Sequence, residues 1–200
     1  MIDQLIELDK ELFLFFNGMH AAWLDPVMDW FSETLFWLPL HVFLLVQILK
    51  SYKKESILIL IAIAITITLA DQITTSFMKP FFERLRPSHE PSLDGLVHLV
   101  NNYRGGKFGF ASSHAANTFG VALFLTLLFR RSKPWIAWLF LWAALVSYTR
   151  IYLGVHYPGD ILVGAIVGML CALLSYGGYV VVRNFIEKRK ASLAGKEALR

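Results

Sequence analysis

The chain is poor in charge and nearly devoid of cysteine. Charged residues make up 17% of its 200 positions, against roughly 25% in an average soluble domain. With 56% hydrophobic residues and a mean hydropathy of +0.53, a disordered chain is excluded and an ordinary soluble globule is disfavoured. The single cysteine, Cys171, cannot form an internal disulfide, which excludes a disulfide scaffold. There is no H-E-x-x-H, no cysteine pair and no cluster of acids, so no metal ion and no cofactor is expected. The first sixteen residues carry acids where a secretory signal carries bases, and they lack a small-residue cleavage site. The net charge of +4 would suggest nucleic acid in a soluble protein. The placement of the charges argues for a membrane instead, with no nucleic-acid partner.

Long apolar runs are what the sequence has in abundance. A membrane span needs roughly 20 predominantly apolar residues. Five runs qualify: Trp30 to Leu49, Ser56 to Met78, Ser112 to Phe129, Pro134 to Leu153 and Ile161 to Val182. The expected fold is all-α, an integral membrane bundle of about five transmembrane helices, forming a single domain over residues 1–200. Ahead of it, Ile2, Leu5, Ile6, Leu12, Phe13 and Phe16 recur at near-helical spacing. That pattern predicts an amphipathic interfacial helix over residues 1–17, ended by Asn17-Gly18. Asp9 blurs its polar face.

Lysine and arginine set the orientation. Lys50, Lys53 and Lys54 follow the first run, and Arg130, Arg131 and Lys133 follow the third. Arg183, Lys188, Arg189, Lys190, Lys196 and Arg200 follow the fifth. These segments hold 12 of the 19 basic residues. If five spans alternate, all three share one side, which is then the cytoplasm, with 183–200 as a basic tail. The opposite face, on the outside, receives the N-terminus, the segment 79–109 and the turn 154–160. Lys79, Arg84, Arg86, Arg104, Lys107 and Arg150 lie there against the topological rule. An anionic ligand on that face would account for them.

Three stretches within 79–160 meet on this face. They are Lys79-Pro-Phe-Phe-Glu-Arg-Leu-Arg86-Pro87, then Ala111-Ser112-Ser113-His114, then Thr149-Arg150, five residues, His156, three residues, Asp160. Ionisable groups at the membrane-proximal ends of helices are costly and mark functional sites. The pattern resembles the type-2 phosphatidic-acid phosphatase family, which shares its site with vanadium haloperoxidases and glucose-6-phosphatase. Its motifs are K-x6-R-P, P-S-G-H and S-R-x5-H-x3-D. The first matches completely. Ala111 and Ser113 replace Pro and Gly in the second, and Thr149 replaces Ser in the third. The resemblance implies a membrane-embedded lipid phosphatase.

The residue chemistry agrees with that implication. Phosphoryl transfer is catalysed mainly by positioning and charge stabilisation. Arg86 and Arg150 offer planar forks for phosphate oxygens and Lys79 a point charge. Ser112 offers a hydroxyl, and the amides of Ser112 and Ser113 would lie at an anion-attracting helix N-terminus. A histidine can form a covalent phosphoenzyme. His156 is the expected nucleophile, oriented by Asp160 as a serine-protease aspartate orients its histidine. His114 is the expected general acid. The resemblance implies the same assignments.

Singly, each residue has a plainer role. Ser112, Ser113 and Asp160 are good helix caps, Pro158-Gly159 is a turn signal, and Lys79 and Arg86 could anchor a helix end. Their joint pattern carries the functional reading. Asp71, inside the second run, is either a partner of a site cation or a bundle contact. The resemblance implies a lipid phosphate substrate within the bilayer. Undecaprenyl pyrophosphate and lipid A phosphate come first, then phosphatidic acid and phosphatidylglycerol phosphate. Arg104 and Lys107 are candidates for touching a second phosphate. The alternatives are a lipid phosphotransferase and a non-catalytic phospholipid-binding or transport protein.

Overall fold

The structure, a computed structural model, describes residues 2–197. Arg200 of the basic tail lies outside the described residues. Among the described residues eight α-helices form in chain order: α1 (Ile2–Asn17), α2 (Asp25–Ser32), α3 (Leu38–Tyr52), α4 (Ser56–Asp71), α5 (Lys79–Phe82), α6 (Ser113–Phe129), α7 (Leu139–Tyr152) and α8 (Pro158–Glu197). Among the described residues the only extended pairing is one antiparallel bridge, Leu85 to Phe108. The fold is thus all-helical. Two stretches, Thr34–Phe82 and Pro158–Leu193, are long and apolar enough to cross a membrane, and α6 is apolar but shorter.

The first stretch is a hairpin, because Lys53 leaves helical geometry at φ 48° and ψ −117°. Ser56 Oγ then donates to the Ile48 carbonyl at 3.2 Å, and Leu44 and Ile48 pack in one core with Ile59 and Ala62. Ile57, Ile61 and Ile65 on α4, and Leu162, Ile166, Leu170 and Leu174 on α8, are exposed. In each helix they recur at helical spacing on the outward face, as lipid-facing residues do.

Three boundaries differ from the sequence expectation. The first run is broken at Glu33, whose backbone is extended, so Trp30 belongs to α2 and not to the following helix. α8 starts at Pro158, which suits the first helical position because its missing N–H has no partner there anyway. It also continues to Glu197, beyond Val182. Beyond Gly178 the sequence has no helix breaker before Gly195, and Arg183 pairs with Glu187 at 3.3 Å one turn on.

α6 and α8 run parallel at the centre, and small residues let them approach. Ser112, Ala116 and Gly120 recur every fourth position, as do Gly164, Gly168 and Ala172. A Cβ on Gly168 would lie 1.8 Å from the Ala116 carbonyl oxygen, and one on Gly164 would lie 2.3 Å from that of Ser112. Above this contact Phe124 packs edge-on against Tyr176. The contact also sets the ends level, with the Ser112 N–H donating to the Asp160 carbonyl at 3.0 Å.

The basic residues read as one-sided gather at the far end of the bundle. Arg183 approaches Glu55 at 3.8 Å, Tyr52 donates to the Leu128 carbonyl, and Lys133 bonds to Gln47. At the near end α1 docks on the bundle through Phe13, packed with Leu93, Ile151 and Tyr157. Asn17 donates to the carbonyls of His98, Ile151 and Tyr152. Ile2, Leu5 and Leu12 stay exposed.

Candidate active site

The spacing between Arg150 and His156 is a helix-ending turn. α7 stops at Tyr152, and Gly154 takes φ 78°, a region that glycine enters at little cost. The Gly154 N–H donates to the Ile151 carbonyl and the Val155 N–H to that of Arg150, both at 3.0 Å. These are the two bonds of a Schellman motif. The His156 N–H also reaches the Arg150 carbonyl, at 3.2 Å. Arginine and histidine are therefore fixed to each other through the backbone.

The spacing between His156 and Asp160 is a helix-starting turn. Asp160 Oδ2 accepts the Tyr157 N–H at 3.0 Å, closing the first turn of α8 as a capping box does. The same oxygen lies 3.2 Å from His156 Nδ1. Asp160 is thus a cap and a histidine partner at once. Both side chains are almost wholly buried, at 0% and 1% exposure. With Nδ1–H given to the carboxylate, the Nε2 lone pair is free for chemistry. Burial, and then the charges of Arg86, Arg150, Lys79 and Arg84, push the His156 pKa well below its ordinary value. The imidazole is neutral and nucleophilic at neutral pH.

The cations surround this histidine. Arg86 is buried and donates from Nε to the Phe108 carbonyl at 3.2 Å and from Nη1 to that of Val155 at 3.4 Å. Arg150 donates from Nη1 to Ser32 Oγ at 3.1 Å, while its buried Nε has no partner among the described residues. Lys79 contacts Thr75 Oγ1 at 3.4 Å, and Thr75 donates to Asp71 Oδ1 at 3.3 Å. Asp71 therefore reaches Lys79 through a threonine. The π-helical turn Gln72–Met78 separates them and re-aims the chain before α5.

The second motif opens α6. The Ser112 hydroxyl accepts the Ala115 N–H as the cap of α6, and Ser112 is fully buried. Its amide is spent on the Asp160 carbonyl. Ser112 thus locks α6 to α8 through its amide, while its hydroxyl, in accepting the Ala115 N–H, keeps its own O–H to donate. The amides of Ser113 and His114, in the first turn, have no acceptor within the helix. His114 and Arg150 line a cavity of about 380 Å³ together with Asp29, Ser32, Glu33, Thr34, Asn101 and Tyr103. On its other side His114 lines an apolar slot of about 320 Å³ with Trp37, His41, Trp142 and Val146. Arg104 is not at this site. It donates to the Ser88 carbonyl and borders a separate surface pocket.

From the sequence, Arg84 is only one of six cations that an anionic ligand would account for; the structure gives it carboxylate partners instead. It bridges Asp160 Oδ1 at 2.9 Å and Asp9 Oδ2 at 2.8 Å. The signal for Asp9 was its misfit with the amphipathic pattern of α1. The site thus holds a neutral histidine paired to a carboxylate, a second histidine, and a ring of cations, all at one end of a bundle with apolar flanks.

Residues 57–183 match the family model described as the PAP2 superfamily. The chain belongs to the PAP2 superfamily. It is 46% identical over 183 residues to the lipid A 4'-phosphatase of Bacteroides thetaiotaomicron, covering 90% of this chain and 78% of that protein. Against the lipid A 4'-phosphatase of Porphyromonas gingivalis it is 37% identical over 185 residues, covering 92% and 78%. The crystal structure of Aquifex aeolicus LpxE superposes with a TM-score of 0.61 at 30% identity, covering 84% of this chain and 94% of that one. The chain is a membrane lipid phosphatase, a hydrolase.

Proposed function

We propose that the chain hydrolyses a phosphate monoester on the sugar headgroup of lipid A, at the outer face of a bacterial inner membrane. One observation carries the choice of substrate. The cavity beside His114, where the leaving group lies, presents Asp29, Glu33 and Asn101. Carboxylates and amides accept hydrogen bonds from sugar hydroxyls. A diphosphate substrate would place its anionic leaving phosphate beside two carboxylates, with Arg150 the one cation in the same lining, which is less favourable than a neutral sugar there. The apolar slot shares Ser32, Thr34 and His114 with that cavity, so it suits an acyl chain attached to the sugar. The names of the two relatives support the same substrate.

In this reading His156 Nε2 attacks phosphorus and the bond to the sugar oxygen breaks. His114 gives its proton to that oxygen. Lys79, Arg86, Arg150 and the Ser113 and His114 amides balance the phosphate charge. Water then attacks the phosphohistidine, His114 takes its proton, and inorganic phosphate leaves. The chain crosses the bilayer five times, through α3, α4, α6, α7 and α8. Its site end faces the periplasm, α1 lies at the interface, and the basic far end with the C-terminus is cytoplasmic. The test is phosphate release by purified protein from matched panels of lipid A phosphate, phosphatidic acid and undecaprenyl pyrophosphate. Preference for the lipid A monoester supports the reading, and preference for the pyrophosphate overturns it.

A further inference from the structure

We propose that Arg84 and Asp9 are positioning residues of the hydrolytic site, and that α1 is a working part of it. A continuous chain of charged contacts runs from α1 to the nucleophile. Asp9 Oδ2 accepts Arg84 Nη2 at 2.8 Å. Arg84 Nη1 donates to Asp160 Oδ1 at 2.9 Å. Asp160 Oδ2 faces His156 Nδ1 at 3.2 Å. This rests on the reading of His156 as the nucleophile.

The physical need is clear at Asp160. Its carboxylate is wholly buried, and a buried charge is tolerated only when paired and hydrogen-bonded. Oδ2 is occupied by the Tyr157 N–H and the imidazole. Oδ1 is held by Arg84, so the carboxylate cannot rotate away from the histidine. The Arg84 guanidinium also stacks 4.1 Å from the centre of the Tyr157 ring, which fixes its plane. Both ends of its fork are taken by carboxylates, so Arg84 acts through Asp160 and not on phosphate.

Asp9 does two things at once. Oδ2 holds the other arm of Arg84, and Oδ1 accepts the Gly159 N–H at 2.7 Å. It thereby ties α1 to the first turn of α8, next to Asp160. A Cβ on residue 159 would lie 2.6 Å from Asp9 Oδ2, so the approach requires glycine there. Outer partners of metal-bound histidines typically contribute about 10–100-fold, and by analogy Arg84, which holds the carboxylate that orients His156, is expected to contribute a factor of that order.

The test uses the purified full chain in detergent, with steady-state kinetics, the rate of phosphoenzyme formation and the melting temperature. Arg84→Met should lower kcat by about 10–100-fold with KM nearly unchanged. Arg84→Lys should recover part of it, because lysine reaches one carboxylate well but not two in a fork. Asp9→Asn should lose less than Arg84→Met. In the Arg84→Met background it should change kcat by less than roughly twofold, as coupled residues do. Asn17→Ala, which loosens the other end of α1, should lower the melting temperature without that loss of kcat. The proposal is overturned if Arg84→Met raises KM instead, or if Arg84→Met and Asn17→Ala lose kcat in step with stability. His156→Ala separates the two readings. If it still turns over, the nucleophile assignment has failed. If it is inactive while Arg84→Met keeps its kcat, only the positioning proposal has failed.

Discussion

Adding a single methyl group at Gly168 should disable the site from two turns away. In Gly168→Ala the new Cβ would lie 1.8 Å from the Ala116 carbonyl oxygen. Close-packed interiors give non-bonded carbon and oxygen about 3.4 Å, so α6 and α8 must part by roughly 1.5 Å. Overpacking of this kind costs about 1–3 kcal/mol of stability. The functional cost is larger. Ser112 lies one turn from Ala116 and Asp160 two turns from Gly168, and the two are joined by a 3.0 Å hydrogen bond. Parting the helices moves His114 relative to His156. A misplacement of 1 Å can cost about 10²-fold in rate, so kcat should fall by about that factor while the protein still folds. Gly177→Ala on the same helix is the control, because a Cβ there meets nothing within 4 Å. Phosphate release and thermal unfolding in detergent read both variants. Full turnover in folded Gly168→Ala would refute the claim that helix contact sets the site geometry.

The other expectations follow from the same geometry. His114→Ala should lose about 10²–10⁴-fold on lipid alkoxide leaving groups, and far less on p-nitrophenyl phosphate, whose leaving group needs little protonation. Equal losses on both substrates would remove the acid role from His114. Turnover should persist in excess EDTA, because Lys79, Arg86 and Arg150 supply the charge that a metal would otherwise provide. Loss of activity in EDTA, with recovery in Mg²⁺, would contradict this. A cysteine introduced at Asp94 should react with an impermeant reagent in intact cells, and one at Ser192 should not. The reverse pattern would invert the orientation.

What the sequence disclosed depended on how local each feature is. The Arg150-x5-His156-x3-Asp160 spacing is a helix end followed by a helix start, and both turns close through near neighbours. Such geometry is written in the spacing. The apolar runs likewise foretold an all-helical fold, and two stretches, Thr34–Phe82 and Pro158–Leu193, are long and apolar enough to cross a membrane. Glu33 and Val182 were misjudged because hydropathy records solubility and not backbone continuity. Arg84 and Asp9 lie 75 residues apart, and no pattern along the chain links them. The one clue was that Asp9 sits badly in the amphipathic stripe of α1. Ser112 fits both a cap and an anion ligand, because the two roles call for the same residue type. The contact of its amide with the Asp160 carbonyl joins two distant stretches of chain, and no local pattern foretells it.

Trapping the phosphoenzyme tests the central claim most directly. The protein would be mixed with ³²P-labelled lipid A phosphate, quenched in alkali within the first turnover, and digested for peptide mapping. The account predicts a base-stable, acid-labile label on the peptide containing His156. The label should be absent from His156→Ala and still present in His114→Ala given an activated ester. Label on His114, or single-turnover phosphate release with no labelled protein at any time, would contradict it.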